Sequence, residues 1–171
     1  MKYTKILFLA FLLCFAQTAF SQESAEVVIQ KAKEQAKKQD KNVLVFFHAS
    51  WCSWCKKMDK NMNAESTKKL FDQNYVLASL VVQERGDKKK LENPDGEQFM
   101  AKYGGEKAGL PFFVFLNSKG EVLQTSLNDN NENIGCPSTD EEVEIFLDKL
   151  KKTSELNEKQ LEIIAKVFLE K

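Results

Sequence analysis

The sequence has few glycines and prolines, a single histidine and no excess of either charge. Its 171 residues include 7 glycines and 3 prolines. The 25 basic and 25 acidic residues cancel, so the overall charge gives no reason to expect a nucleic acid as the partner. The hydrophobic share of 43% is that of one globular domain with short appendages.

Residues 1–21 have the three-part pattern of a secretory signal peptide. Two lysines precede an apolar stretch over residues 6–16, and the small residues Ala19 and Ser21 stand just before the expected cleavage site. An uncleaved anchor is the alternative, but the stretch is shorter than the roughly 20 residues that span a bilayer. We therefore predict a mature chain from about Gln22, a periplasmic or secreted location, and no stable membrane insertion after cleavage.

Three cysteines remain once the predicted signal peptide is removed: Cys52, Cys55 and Cys136. Export takes a protein to a compartment in which disulfides persist. Because three cysteines cannot all pair within one chain, at least one of them has another role.

Hydrophobic periodicity predicts helices that alternate with strands. The predicted helices cover 24–39, 53–71, 96–103, 139–150 and 157–169, and the predicted strands cover 43–47, 75–82, 112–116 and 121–127. This order indicates an α/β fold with a mixed central sheet flanked by helices. We assign residues 22–152 to one domain and residues 153–171 to a C-terminal helical extension that packs on it.

Two predictions concern the surroundings of the first two strands. Both strands are continuous apolar runs, which predicts burial on both faces and a right-handed crossover between them. The polar stretch 83–95 is predicted to be an exposed loop, and its three lysines at 88–90 are interpreted as solvated surface.

Cys52 and Cys55 form a C-x-x-C motif between a predicted buried strand and a predicted helix. Free backbone N–H groups and the helix dipole stabilise a thiolate at a helix N-terminus. Cys52 is therefore the predicted nucleophile, and Cys55, one turn further and more sheltered, is the predicted resolving thiol.

Two other interpretations of the cysteine pair remain. Zinc binding needs two more ligands, and only His48 and Cys136 are left to supply them. A structural disulfide between residues so close in sequence closes a very small loop and removes little unfolded-state entropy. We therefore predict no metal and no cofactor.

The segment FFHASWCSWCKKMD, followed by GLPFFVF, resembles the thioredoxin-like superfamily, especially its exported bacterial members with a WCxWC-type centre. The resemblance covers roughly residues 24–152. It implies a cis peptide bond before Pro111, packed beside the cysteines, and a backbone at Leu110 that pairs with the partner chain. It also implies that Cys52 is the nucleophile.

The sequence departs from this family at two positions. Thioredoxins proper carry a buried aspartate where Phe46 stands and a lysine where Ser79 stands. The resemblance therefore implies that proton transfer to and from Cys55 depends on water, on His48 or on another group.

Three further side chains are candidates for a role at the site. His48 either favours the thiolate when it is protonated or is a strand-end histidine bonded to backbone. Trp54 is predicted to offer an apolar face to a partner, whereas Trp51 is predicted to pack as support. Cys136 lies in a loop that approaches the active site in similar proteins, and is either a buried free thiol or part of a regulatory or intermolecular disulfide.

We predict a thiol–disulfide oxidoreductase that exchanges disulfides with exported proteins, with protein thiols and a redox partner protein as its partners. Reductase, oxidase and isomerase directions all remain open. Two alternatives are a non-catalytic binding module, which uses Trp54 and Leu110, and a metal- or copper-handling protein, which uses Cys52, Cys55 and His48.

Overall fold

A computed structural model describes residues 22–170. The predicted signal peptide lies outside these residues. Within them, no helix has the length and apolar character needed to cross a membrane. The described elements are α1 (Ala25–Gln39), β1 (Asn42–His48), α2 (Ser53–Met62), α3 (Lys68–Asn74), β2 (Tyr75–Val81), a 3-10 helix (Gly86–Leu91), α4 (Gly96–Lys102), β3 (Phe112–Leu116), β4 (Val122–Thr125), α5 (Asp140–Thr153) and α6 (Glu158–Leu169).

The sheet has the strand order β2-β1-β3-β4. β1 and β2 are parallel, while β3 is antiparallel to both β1 and β4. Alternate residues of β1 enter two separate cores: Leu44 and Phe46 face the side of α2, α5 and α6, and Val43, Val45 and Phe47 face α1. The predicted α/β class with a mixed sheet is confirmed.

Local signals mark the beginnings of the helices correctly. The Ser24 hydroxyl caps α1 by accepting from the N–H of Val27. Thr139 and Glu142 form the predicted capping box at the start of α5, each side chain accepting from the other residue's backbone N–H. These helices therefore begin where their capping residues stand.

The single helix predicted over 53–71 is wrong, because the chain forms two helices separated by a turn. At the end of α2, the Asn63 side-chain amide donates to the carbonyl oxygen of Asp59 at 3.0 Å. The buried Thr67 hydroxyl donates to the Asn61 carbonyl oxygen. These side chains compete with helical backbone hydrogen bonds, which interrupts the helix.

The prediction that β2 is buried on both faces is also wrong. β2 is an edge strand, and Leu77 is 47% exposed. Asn93 pairs with the last residue of this edge strand, Val81. Its side-chain oxygen accepts from the N–H of Val81, and its backbone N–H donates to the Val81 carbonyl oxygen. An apolar run has the same appearance in a central strand and in an edge strand of this kind.

The last helix packs on the body of the domain. Leu161, Ile164 and Phe168 of α6 are buried, and the Phe168 ring lies 5.0 Å from that of Phe146 and 6.5 Å from that of Phe71, centroid to centroid. The apolar stripe of α6 therefore completes the core that also contains Cys52 and Cys55.

Candidate functional site

The two cysteines of the motif lie at the junction between β1 and α2 and form a disulfide. Cys52 is the N-cap residue of α2, and its Sγ accepts from the N–H of Cys55 at 3.0 Å. The Cys52 sulfur therefore lies where unpaired amide groups and the helix dipole favour negative charge. The sequence predicts that Cys55 is more sheltered than Cys52. The structure shows no such difference, since Cys52 is 4% exposed and Cys55 3% exposed.

A second loop lies at the same end of the sheet as the cysteine pair. The peptide bond between Leu110 and Pro111 is cis, as the resemblance implies, and Pro111 is buried directly before β3. Leu110 is half-buried and packs on the core cluster that includes both cysteines. The register pairs Phe112 with Phe47, so the start of β3 lies next to the end of β1. The fold therefore places Leu110 and Pro111 near the disulfide.

The side chain of Asn133 holds this proline loop in place. Its amide nitrogen donates to the carbonyl oxygens of Ala108 and Pro111, both at 2.9 Å, and its oxygen accepts from the N–H of Gly135 at 3.1 Å. A Cβ atom added at Gly135 would lie 3.9 Å from Cδ of Pro111. The segment that leads to Cys136 thus passes directly beside the proline.

Cys136 is a buried free thiol in the same core as Cys52 and Cys55. Burial raises the pKa of its thiol to about 11, and Glu142 acts in the same direction, whereas the positive charge of Lys57 lowers it. Near neutral pH, Cys136 is therefore protonated. In this state it is a small apolar residue with little nucleophilic character.

His48 is the last residue of β1, and its ring bonds to a side chain rather than to backbone. Its Nε2 lies 2.8 Å from the hydroxyl oxygen of Ser79, and its ring stacks on that of Phe46 with 5.4 Å between centroids. Burial lowers the pKa of His48, while the nearby charges of Asp59 and Glu84 raise it. Phe46 and Ser79, the two positions at which the sequence departs from thioredoxins, thus both contact the His48 ring.

Two exposed indole rings flank the disulfide. Trp54 is 50% exposed, and Nζ of Lys57 lies 5.6 Å from its ring centroid. Trp51 is 42% exposed, with Cζ of Arg85 4.0 Å above its ring, and its indole N–H donates to the Gln83 carbonyl oxygen at 2.7 Å. The hydrogen bond and the Arg85 contact anchor Trp51, but its ring presents a face to solvent rather than being packed away.

Sequence reasoning missed Glu84, which fixes the loop in front of Cys52. Its carboxylate is buried and accepts from the backbone N–H of Ser50 at 2.5 Å and from the Ser50 hydroxyl at 2.9 Å. Lys88 also donates to this hydroxyl, at 3.0 Å. Burial alone raises the pKa of Glu84, but the bonds from Ser50 and the charge of Lys88 outweigh it, so the pKa lies below its ordinary value.

The loop predicted over 83–95 is therefore only partly solvated. Glu84 and Asn93 are buried, and residues 86–91 form a 3-10 helix whose lysines are exposed. An acidic residue shortly after an apolar strand is the one sequence signal that could have indicated Glu84. Asn133 lies in a polar loop and offered no such signal.

Among residues 22–170, no three His, Cys, Asp or Glu side chains gather in a way that could hold a metal ion. In the part of the chain that the structure describes, no such cluster therefore forms from the ligands considered from the sequence, Cys52, Cys55 and His48.

Comparison with solved structures finds similar chains of low sequence identity. The disulphide isomerase from Xylella fastidiosa Temecula1 is 22% identical with a TM-score of 0.47, over 66% of this chain and 77% of that one. A thioredoxin from Thermus thermophilus is 20% identical with a TM-score of 0.46, over 71% and 80%. The oxidised C-terminal domain of Neisseria meningitidis DsbD is 19% identical with a TM-score of 0.45, over 61% and 83%.

A search of curated proteins found no match. The sequence profile described as thioredoxin-like matches residues 25–118. This match runs from the start of α1 to the turn after β3 and includes the cysteine motif and the cis-proline. It covers more than half of the chain, so the protein belongs to the thioredoxin-like family.

Proposed function

We propose that this protein is a thiol–disulfide oxidoreductase that exchanges disulfides with exported proteins. The observation that carries the proposal is the Cys52–Cys55 disulfide at the N-terminus of α2. A sulfur at this position is a good leaving group and a good nucleophile, because the helix end stabilises its thiolate. Membership of the thioredoxin-like family supports the same reaction class.

In the reducing direction, the Cys52 thiolate attacks one sulfur of a partner disulfide. A mixed disulfide forms, and the electron pair of the broken bond leaves on the other partner sulfur, which takes a proton. The Cys55 thiolate then attacks Sγ of Cys52, which releases the second partner thiol and restores the Cys52–Cys55 disulfide. Two electrons pass to the partner, and the same steps in reverse oxidise a dithiol partner.

Trp54, Leu110 and Pro111 form the proposed binding surface for the partner chain. The half-exposed ring of Trp54 supports apolar contact, and the half-buried Leu110 supports backbone pairing next to the disulfide. Cys136 and His48 are proposed modulators. The environment of Cys136 favours its protonated form, and His48 supplies a titratable group on a strand where the family's usual carboxylate is replaced by Phe46.

The first experiment measures the reduction potential of the cysteine pair in a Cys136→Ser variant, by equilibration against glutathione buffers. We expect a reversible two-electron couple. A value near about −270 mV, that of thioredoxin, supports a reductase, and one near about −120 mV supports a strong oxidant. A pair that does not cycle contradicts the proposal.

Trapping provides a second and independent test. Cys55→Ser removes the resolving thiol, so this variant should accumulate a mixed disulfide through Cys52. The matched control, Cys52→Ser combined with Cys55→Ser, should accumulate none. Equal trapping by both variants would assign the reactive sulfur to another cysteine and contradict the proposed role of Cys52.

A binding module without redox turnover is the second candidate, favoured by the exposure of Trp51 and Trp54 beside the disulfide. Partner binding that survives replacement of both Cys52 and Cys55 by serine, together with a pair that does not cycle, would support it.

The proposed export is tested by sequencing the N-terminus of the protein recovered from the periplasm or the medium. We expect it to begin at Gln22 or Glu23, and an intact residue 1 would contradict signal cleavage.

A further inference from the structure

A groove with a basic rim lies beside α2, and its lining begins at Lys56, directly after Cys55. Its volume is about 510 Å³, and its lining includes Lys56, Lys57 and Lys60 of α2, together with the end of α6. Lys57 links this groove to the site already described, because its Nζ lies 5.6 Å from the ring centroid of Trp54 and its charge lowers the pKa of Cys136.

The lysines of the groove have no carboxylate partner within residues 22–170. Ion pairs in this part of the chain form at Lys31, Lys68, Lys151 and Lys152 only. Glu170 is the one acidic residue that lines the groove. Asp59, the acidic residue of α2, is not part of the lining, and its charge acts on His48 instead. Counting residues 22–170 alone, the groove thus carries three positive charges against one negative charge.

A buried polar group without a partner in the described part of the chain lies in a residue that lines the groove. Asn61 belongs to the lining and is 6% exposed, so it forms the floor rather than the rim. Its amide nitrogen has no hydrogen-bond partner among the described residues. A buried donor without a partner costs about 1–3 kcal/mol. A ligand that carries oxygen acceptors would suit the lysines at the rim, and it would meet the Asn61 nitrogen only after that side chain had turned outward.

The spacing of the lysines suits an extended polypeptide. Helical rise of about 1.5 Å per residue places Lys57 about 7 Å and Lys60 about 12 Å beyond Cys52 along the helix axis. An extended chain advances about 3.3 Å per residue. Acidic side chains at the second and fourth residues from a cysteine bound at Cys52 would therefore reach the two lysines, and because both positions have the same parity, they project to the same side of the peptide.

We propose that this groove binds an acidic segment of the partner protein that adjoins the partner's reactive cysteine, with the pattern Cys-x-acid-x-acid in either chain direction. This inference rests on the proposed function and specifies its partner class. Charge pairing with Lys57 and Lys60 brings the partner sulfur to Cys52 and raises the rate of exchange, an effect that salt screens.

The test uses reduced protein and matched peptides, each with one cysteine in a disulfide with an aromatic thiol. The Cys52 thiolate attacks the peptide sulfur, the aromatic thiolate leaves and is measured by absorbance, and Cys55 then releases the peptide thiol. In one pair of peptides, Asp-x-Asp is placed before the cysteine in one member and after it in the other. In the matched pair, Asn-x-Asn takes the place of Asp-x-Asp. The readout is the ratio of the Asp and Asn rate constants, because a change in thiolate reactivity affects both rates alike and cancels.

We expect the Asp peptide to react about fivefold faster at about 20 mM salt and less than about twofold faster at about 500 mM. The ratio should fall to about one in the double variant Lys57→Gln, Lys60→Gln. It should be unchanged in the control Lys37→Gln, Lys38→Gln. This control removes two exposed charges at the end of α1, a helix that packs on the other face of the sheet.

Three outcomes would overturn the inference. Equal rates for Asp and Asn peptides in the unaltered protein would show that the groove does not select acidic segments, while leaving the proposed function intact. An Asp preference that survives the loss of Lys57 and Lys60 would locate the recognition of acidic residues elsewhere. If neither peptide reacts, the proposed function fails, and the inference fails with it.

Discussion

The buried thiol of Cys136 predicts a specific loss of stability at alkaline pH. Burial raises the pKa of this thiol from 9.0 to about 11 in the folded protein, whereas the unfolded chain titrates near the ordinary value. Between these values the folded protein keeps a proton that the unfolded chain has released. The stabilisation is fully present below pH 9 and is lost as the pH rises through the folded-state pKa.

The magnitude follows from the difference between the two pKa values. One pKa unit corresponds to about 1.4 kcal/mol. At pH 10 the thiol should therefore have reduced the free energy of unfolding by about 1.4 kcal/mol, and well above pH 11 by about 2.7 kcal/mol. The cause is burial of Cys136 in the core that also contains Ile134 and Phe146.

The assay is urea unfolding at about pH 7.5 and about pH 10 in a Cys14→Ser, Cys52→Ser, Cys55→Ser background, in which Cys136 is the one remaining thiol and cannot exchange disulfides. A second protein carries Cys136→Ala in addition. Lysine and tyrosine titration affects both proteins alike, and the cost of the smaller side chain is constant with pH. The stability advantage of the cysteine protein should shrink by about 1.4 kcal/mol between the two pH values, and an advantage independent of pH would refute the reasoning.

Two further predictions concern the core. Phe168→Ala should lower the free energy of unfolding by about 3–5 kcal/mol, because its ring is buried against Phe71 and Phe146. Ile163→Ala on the exposed side of the same helix should cost less than about 1 kcal/mol, and similar losses in urea unfolding would contradict the packing of α6. Phe46→Asp should cost more than about 3 kcal/mol near pH 7, since burial would raise the pKa of the new carboxyl. The loss relative to Phe46→Leu should diminish as the pH falls toward about 4, and a loss that is constant with pH would show that the carboxyl is solvated.

Features set by neighbouring residues could be predicted from the sequence. The cap at Ser24, the capping box at Thr139 and the apolar runs of β1 and β3 depend on contacts between residues close in the chain, and they lie where expected. The cysteine pair at the start of a helix after a buried strand belongs to the same group. Local composition was sufficient in each case.

Features set by distant parts of the chain could not be predicted. The run 75–81 is apolar whether or not another strand pairs with its outer edge, so its place at the edge depends on the whole sheet. Glu84 and Asn133 gain their importance from partners 34 and 22 residues away, Ser50 and Pro111. The interruption after Asn63 depends on the Thr67 hydroxyl, which bonds to the carbonyl oxygen of Asn61 six residues earlier.

The loop in front of Cys52 is held from across the site, by Glu84 through Ser50 and by the Gln83 carbonyl through Trp51. None of these bonds includes a sulfur atom, so cleavage of the disulfide breaks none of them directly. We therefore expect the oxidised and reduced proteins to have nearly the same backbone here, with a small reorganisation energy for each turnover. Under the proposed function, such a frame would present the same surface to a partner protein before and after disulfide exchange.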